Sequence, residues 1–314
     1  MKFKKPNFWD LKRPNFISNI LFPLTIFTTL NNFLTSTKNK KDYKKIKTIC
    51  VGNIYVGGTG KTPSSIKLYN MLKVIKSKIC VGKKFYTSQK DEQIILEKKT
   101  NLILGSSRDE IIDKAIQANK ELLIFDDGLQ DKNINYDLKI VCFDAKKWIG
   151  NGRLLPAGPL RESLESIKKY DFVFIKNRDD KTEEIMNLIK FINPKIEIFL
   201  INYKPLNLNN LNQNDRYLIF SGIGNPESFK DVLEKNNLKI VKEIIFPDHY
   251  EYKKKDIEKI ELLANSQNAK ILTTEKDFVK LEKFKFKNIN FLEMDLHITD
   301  EKKLLKLIKT KLNE

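Results

Sequence analysis

Little in this chain suits a zinc centre or a disulfide. The 314 residues hold three cysteines, Cys50, Cys80 and Cys142, each inside an apolar run and none in a C-x-x-C. That spacing excludes a zinc or disulfide framework and reads as buried thiols in a reducing compartment. Histidine is scarcer still, at 249 and 297 only, and arginine occurs only at 13, 108, 153, 161, 178 and 216. The net charge of +18 is therefore almost entirely lysine, distributed along the whole chain. Such a balance fits an anionic partner (nucleic acid, membrane surface or phosphorylated substrate) or a merely solvated surface, and composition leaves these open. The N-terminal apolar segment is too polar to span a bilayer comfortably, and no small-residue cleavage site follows it. No internal repeat is visible, and 41 % hydrophobic residues argue against disorder.

What is present starts with Val56-Gly57-Gly58-Thr59-Gly60-Lys61-Thr62. An apolar run, Ile49–Val51, precedes it, and a helix-like segment, Ser64 to Lys73, follows. A glycine-rich turn between strand and helix points backbone N–H groups inward, at the positive end of the helix. It cradles phosphate through Gly57, Gly58, Thr59 and Gly60, while Lys61 reaches the β- and γ-phosphates and the Thr62 hydroxyl ligates Mg²⁺. A strict G-x-x-x-x-G-K-[ST] pattern needs glycine where Tyr55 stands, so the loop is expected to open differently.

From residue 46 onward, strand-like and helix-like runs alternate. This predicts an α/β fold: a P-loop NTPase-like α/β/α domain, then a second, smaller α/β domain. The Asn-rich stretch 207–215 reads as a linker, which divides the chain into 1–45, 46–206 and 207–314, the last completing the substrate cleft. Within 1–45, apolar Ile17, Ile20, Leu21, Leu24, Phe27 and Leu34 share one helical face, and Ser18, Thr25, Thr29 and Asn32 lie opposite. Flanking lysines, Lys2 and Lys4 among them, make this an amphipathic helix for a membrane interface, or one packed on its own domain. Pro23 would kink it or start a second helix.

The run Leu122-Leu123-Ile124-Phe125 ends in Asp126-Asp127. It matches the second half of a P-loop site, where a strand delivers an acid beside Mg²⁺. Adjacent Asp side chains point in different directions, so one would hold metal and the other contact substrate. These two motifs alone also allow a P-loop NTPase switch or a metallochaperone-like protein. Those would need a Cys/His cluster or a guanine-reading N-K-x-D, which Asn177-Arg178-Asp179-Asp180 imitates poorly. Phe278, Phe284 and Phe286 among lysines hint at nucleic-acid binding, but their helical spacing favours core packing, and no nucleic-acid partner is expected.

Taken together the motifs resemble the tetraacyldisaccharide 4'-kinases, the lipid A 4'-kinases of Gram-negative bacteria. The resemblance rests on Val51-Gly52-Asn53 with the glycine-rich run, on Asp91-Glu92, and on Asp126-Asp127-Gly128-Leu129-Gln130. It continues through the run from Gly150 to Glu162, GNGRLLPAGPLRE, which simple packing does not explain. Gly222-Ile223-Gly224-Asn225-Pro226, Phe246-Pro247-Asp248-His249-Tyr250 and Leu272-Thr273-Thr274-Glu275-Lys276-Asp277 complete it. It implies an ATP- and Mg²⁺-dependent transfer to the 4'-hydroxyl of a tetraacyl glucosamine disaccharide 1-phosphate. It also implies peripheral, monotopic attachment to the cytoplasmic face of the inner membrane, with no obligate protein partner. On this basis Asp91 is the base, assisted by His249; Lys61 and the loop hold ATP. Thr62, Asp126 and Glu162 set the metal, and Asp127, Gln130, Arg108 and Arg161 position phosphates or sugar. The family also lacks the first P-loop glycine. This chain departs in having Gly82-Lys83-Lys84-Phe85-Tyr86 for a longer arm containing Ser-Arg-Gly-Tyr-Gly, Gln93 after Asp91-Glu92 for proline, and Asp131 after Gln130.

Overall fold

Short runs of Ile, Val, Leu and Phe pair into two sheets, and the segments of helical period between them coil alongside. The computed structural model describes residues 5–36, 40–131, 133–176, 181–286 and 288–313. The Asn177–Asp180 imitation of a guanine-reading motif, and Lys2 and Lys4, lie outside them. In chain order the strands are β1 (Lys47–Gly52), β2 (Ile79–Lys84), β3 (Leu102–Gly105), β4 (Leu122–Asp126), β5 (Leu138–Asp144), β6 (Phe172–Lys176) and β7 (Glu197–Pro205). Then come β8 (Arg216–Ser221), β9 (Lys239–Ile245), β10 (Lys270–Thr274), β11 (Ile289–Leu292) and β12 (Met294–Ile298).

The larger sheet runs β12-β7-β6-β5-β1-β4-β2-β3, and every pairing from β7 to β3 is parallel. The smaller runs β11-β10-β8-β9, again parallel. Parallel strands covered on both faces read as unbroken apolar runs, and β4 and β6 are buried at every position. The helices are α1 (Phe16–Leu21), α2 (Thr25–Ser36), α3 (Lys61–Lys73), α4 (Lys90–Lys99), α5 (Arg108–Gln117), α6 (Lys181–Ile192), α7 (Pro226–Lys235), α8 (Lys254–Ser266), α9 (Glu275–Leu281) and α10 (Glu301–Leu312). Pro23 lies in a short 3-10 turn, Phe22–Leu24, where α1 gives way to α2.

The chain groups into two compact units. The larger comprises Met1–Phe85, Thr100–Asn202 and His297–Glu314; the smaller comprises Tyr86–Lys99 and Tyr203–Leu296. This differs from the sequence segmentation at both ends of the smaller unit. Helix α4 packs on α9 and so groups with it, and α10 contacts β5 of the larger sheet. In the smaller unit Phe284 and Phe286 pack against its core, and Phe278 stacks on Phe291 with ring centres 4.4 Å apart. Those rings therefore serve packing.

Candidate active site

Register places the first half of the site. Val51 on β1 pairs with Asp126 on β4, so the turn leaving β1 begins beside that carboxylate. Gly60 caps α3 at φ 89°, a left-handed conformation that L side chains resist, and Lys61 and Thr62 begin the helix. Tyr55, standing where a strict P-loop has glycine, is fully buried. Its backbone pairs with Leu160, and its hydroxyl bonds Asp10 and Lys5. The loop thus opens against a second loop instead of turning on glycine. Thr59 Oγ1 is buried with no partner among the described residues, an orphaned group of the kind that a ligand oxygen satisfies.

The two carboxylates have separate surroundings. Asp126 Oδ2 accepts from Thr62 Oγ1 at 3.0 Å and from Lys83 Nζ at 2.6 Å, and Oδ1 accepts from Ser65 Oγ at 3.1 Å. Asp127, at φ 67°, turns elsewhere and meets Lys61 Nζ at 2.9 Å and Arg161 at 3.7 Å. Burial alone would raise the Asp127 pKa, but the Lys61 and Arg161 charges outweigh it and hold it below the usual carboxylate range. Gln130 links the parts, donating to Asn53 O at 2.7 Å and accepting from Arg161 at 3.0 Å. Arg108 is engaged with Asp131 at 2.9 Å and with the Asp127 carbonyl, so it braces the acidic turn. Glu162 is buried and accepts from Tyr170 Oη at 3.4 Å.

Asp91 and His249 belong to the smaller unit, whereas the P-loop candidates belong to the larger. Asp91 lies in the first turn of α4, where a helix N-terminus favours a carboxylate, and accepts from the Glu92 N–H at 2.9 Å. His249 Nδ1 lies 2.9 and 3.1 Å from its two oxygens. His249 is held at φ 56°, with its N–H donating to Gly222 O at 3.2 Å. Lys276 and Lys280 each approach Asp91 Oδ2 to 3.6 Å. Burial pushes the Asp91 pKa up, but the His249 bond and the Lys276, His249 and Lys280 charges together bring it below the ordinary value. The geometry is that of a carboxylate kept ionised beside an oriented imidazole.

The N-terminal segment packs by its polar face. Ser18 Oγ donates to Ala157 O at 2.6 Å, Thr28 Oγ1 to Leu155 O at 2.7 Å, and Asn32 Nδ2 to Arg161 O at 2.9 Å. The remaining hydroxyls of Thr25, Thr29 and Thr35 bond carbonyls of their own helical turns. The apolar face points outward: Phe16 is 77 % exposed, Phe27 69 % and Ile26 65 %. Contrary to the expectation that this segment is too polar to span a bilayer, Phe16–Thr35 is, by length and composition alone, long and apolar enough to cross one. The run from Gly150 to Glu162 receives this helix, which supplies the packing reason that the sequence concealed. A Cβ on Gly150 would lie 2.1 Å from the Trp9 carbonyl oxygen. The same run reaches the P-loop, since Arg161 N–H donates to Ile54 O at 2.7 Å and Val56 N–H to Pro159 O at 2.9 Å.

The family model for tetraacyldisaccharide-1-P 4'-kinase matches residues 18–313. This chain belongs to that family. A tetraacyldisaccharide 4'-kinase of Pelagibacter ubique (strain HTCC1062) is 47 % identical to it over 317 residues, covering 100 % of this chain and 99 % of the relative. That of Rickettsia bellii (strain OSU 85-389) is 34 % identical over 298 residues, covering 90 % of each. Among solved structures, LpxK from Aquifex aeolicus in complex with ATP superposes with a TM-score of 0.70 at 23 % identity, covering 94 % of this chain and 99 % of that one. The likeness establishes the fold: a P-loop α/β/α domain, a smaller α/β domain and an N-terminal apolar helix. Membership of a kinase family selects a phosphotransferase acting on a hydroxyl over an NTPase switch or a metallochaperone.

Several residues of the site escaped sequence reasoning. Asn53 is fully buried at its centre, donating to Tyr55 O at 2.6 Å and Gly57 O at 3.1 Å and accepting from Lys61 at 3.1 Å. It was visible only as part of the Val51-Gly52-Asn53 run. Ser65, one turn into α3, reaches Asp126 because it lies three residues after Thr62, on the helix face that meets that carboxylate. Lys83, Lys276 and Lys280 were hidden by the abundance of lysine.

Proposed function

We propose that this family member transfers the γ-phosphoryl group of ATP to the 4'-hydroxyl of a tetraacyl glucosamine disaccharide 1-phosphate, working peripherally on the cytoplasmic face of the bacterial inner membrane. The observation that carries the chemistry is the P-loop lysine paired with Asp127, beside an Asp126 held separately by Thr62, with a Thr59 hydroxyl orphaned among the described residues in the loop. Donors of this kind suit a triphosphate. Thr62 and Asp126, with Glu162, are hard oxygen ligands of the type Mg²⁺ takes. Among the described residues no group of three or more His, Cys, Asp or Glu is placed to hold a metal unaided. Mg²⁺ commonly completes its shell with substrate phosphates and water, so the donor set fits. When bound it neutralises charge on the phosphate oxygens.

The chain's own groups do the rest. Lys61, now paired with Asp127, exchanges that carboxylate for phosphate, and Arg161 lies within reach of the same anion. Asp127 and Gln130 hold Arg161 and, on the acceptor side, sugar hydroxyls. Arg108 fixes the turn that carries Asp127. In the smaller unit Asp91 takes the proton of the attacking hydroxyl, and His249 orients it. The paired lysines beside Asp91 keep it a base at neutral pH. The outward apolar face of α1 and α2 lies in the lipid surface, so the acyl chains of the substrate need not leave the bilayer. Incubation with Mg-ATP and the disaccharide 1-phosphate tests this. Phosphate on the 4' oxygen supports it, and ATP hydrolysis without lipid phosphorylation rejects it.

A further inference from the structure

Lys83 follows Gly82, which pairs with Phe125, so its side chain rises beside Asp126 at the same sheet edge. Ammonium and carboxylate lie 2.6 Å apart, with side-chain exposures of 2 % and 0 %. With Thr62 and Ser65 this makes three donors around one carboxylate. Asp127, by contrast, is partnered by Lys61 and Arg161, the two cations assigned to phosphate.

A bare carboxylate attracts a divalent ion. One already neutralised by a buried ammonium presents little net charge, and an arriving cation is repelled by that ammonium at close range, where screening is weak. We infer that Lys83 is a resident counter-ion of Asp126, so that a divalent cation binds here only together with nucleotide, whose phosphate oxygens bring the negative charge that Lys83 cancels. Lys83 is a positioning residue, acting through Asp126. It also keeps Asp126 from repelling an incoming triphosphate. The inference rests on Asp126 being the metal-facing carboxylate of the proposed function.

Mn²⁺ serves as the probe, followed by electron paramagnetic resonance on the full-length protein. Wild type is expected to bind no Mn²⁺ below millimolar without nucleotide and to bind it with a non-hydrolysable ATP analogue. Lys83→Ser is expected to bind Mn²⁺ alone at least tenfold more tightly than wild type, and to bind ATP in EDTA at least tenfold more weakly. Its Tm should rise in millimolar Mg²⁺, whereas wild type and the doubly neutral Lys83→Ser/Asp126→Asn protein should not respond. Lys83→Arg, which keeps the charge, should retain the wild-type pattern. Equal Mn²⁺ affinity in wild type and Lys83→Ser overturns the inference, as does a Lys83→Ser protein that stays unfolded in Mg²⁺ while the double variant folds. Failure of the functional reading would look different: wild type would not bind Mg-ATP at all.

Discussion

Charging the outward face of α2 should detach the protein from membranes without unfolding it. Phe27 is 69 % exposed. A phenylalanine side chain buries on the order of 200 Å². Placing the exposed part of Phe27 in lipid therefore removes about 130 to 140 Å² from water, about 3 kcal/mol at ~25 cal/mol per Å². Phe27→Asp forfeits that gain and adds a carboxylate that must stay hydrated, so partitioning should fall on the order of a hundredfold, each ~1.4 kcal/mol being a factor of ten. Because the ring meets solvent in the folded protein, Tm should move by no more than ~2 °C, as for other surface changes. Thr28→Ala on the opposite face supplies the converse control. It removes the 2.7 Å bond to Leu155 O and should lower stability by about 1 kcal/mol while leaving partitioning unchanged. Sedimentation with anionic phospholipid vesicles reads the first effect and thermal melting the second. A Phe27→Asp protein that still co-sediments like wild type, or that melts many degrees lower, would refute the assignment of this face to lipid.

Four further outcomes follow from the same geometry. Asp91→Asn should lower turnover by about 10²- to 10⁴-fold with ATP affinity unchanged, measured by steady-state kinetics and calorimetry. The folded Asp91 pKa lies below its unfolded value, so its stabilising contribution is present above about pH 4 and is lost as pH falls through the folded value. Urea melts should accordingly show the stability gap between wild type and Asp91→Asn at pH 7 and a smaller gap near pH 3. Lys83→Met leaves the Asp126 charge buried without its ammonium and should cost about 3–5 kcal/mol in the absence of divalent ion, by chemical denaturation. Gly150→Ala forces a Cβ against the Trp9 carbonyl and occupies φ 57°, and should cost about 1–3 kcal/mol with a change in the near-UV signal of Trp9.

The parallel architecture was legible because buried strands such as Leu122–Asp126 and Phe172–Lys176 are apolar at nearly every position and are separated by helical periods. The elements at and next to the sheet edges were not. β3, β7, β11 and β12 are short or mixed in polarity, and their strand character comes from partners distant in sequence. The phosphate cradle was readable because backbone geometry demands glycine at particular places. Polarity of the N-terminal helix was readable too, but not its orientation. Ser18, Thr28 and Asn32 face the protein because carbonyls of the 150–162 run need donors, and such carbonyls leave no mark in side-chain chemistry. Asp91 shows the same limit: its sequence reads as an ordinary helix start, and only the fold brings His249, Lys276 and Lys280 to it.

The most direct measurement follows the label from γ-labelled ATP in the presence of Mg²⁺, vesicles and the disaccharide 1-phosphate. The account predicts a new phosphomonoester on the 4' oxygen of the lipid, absent with Lys61→Ala and nearly absent with Asp91→Asn. Label recovered only as inorganic phosphate, or an Asp91→Asn protein that phosphorylates lipid at the wild-type rate, would contradict it.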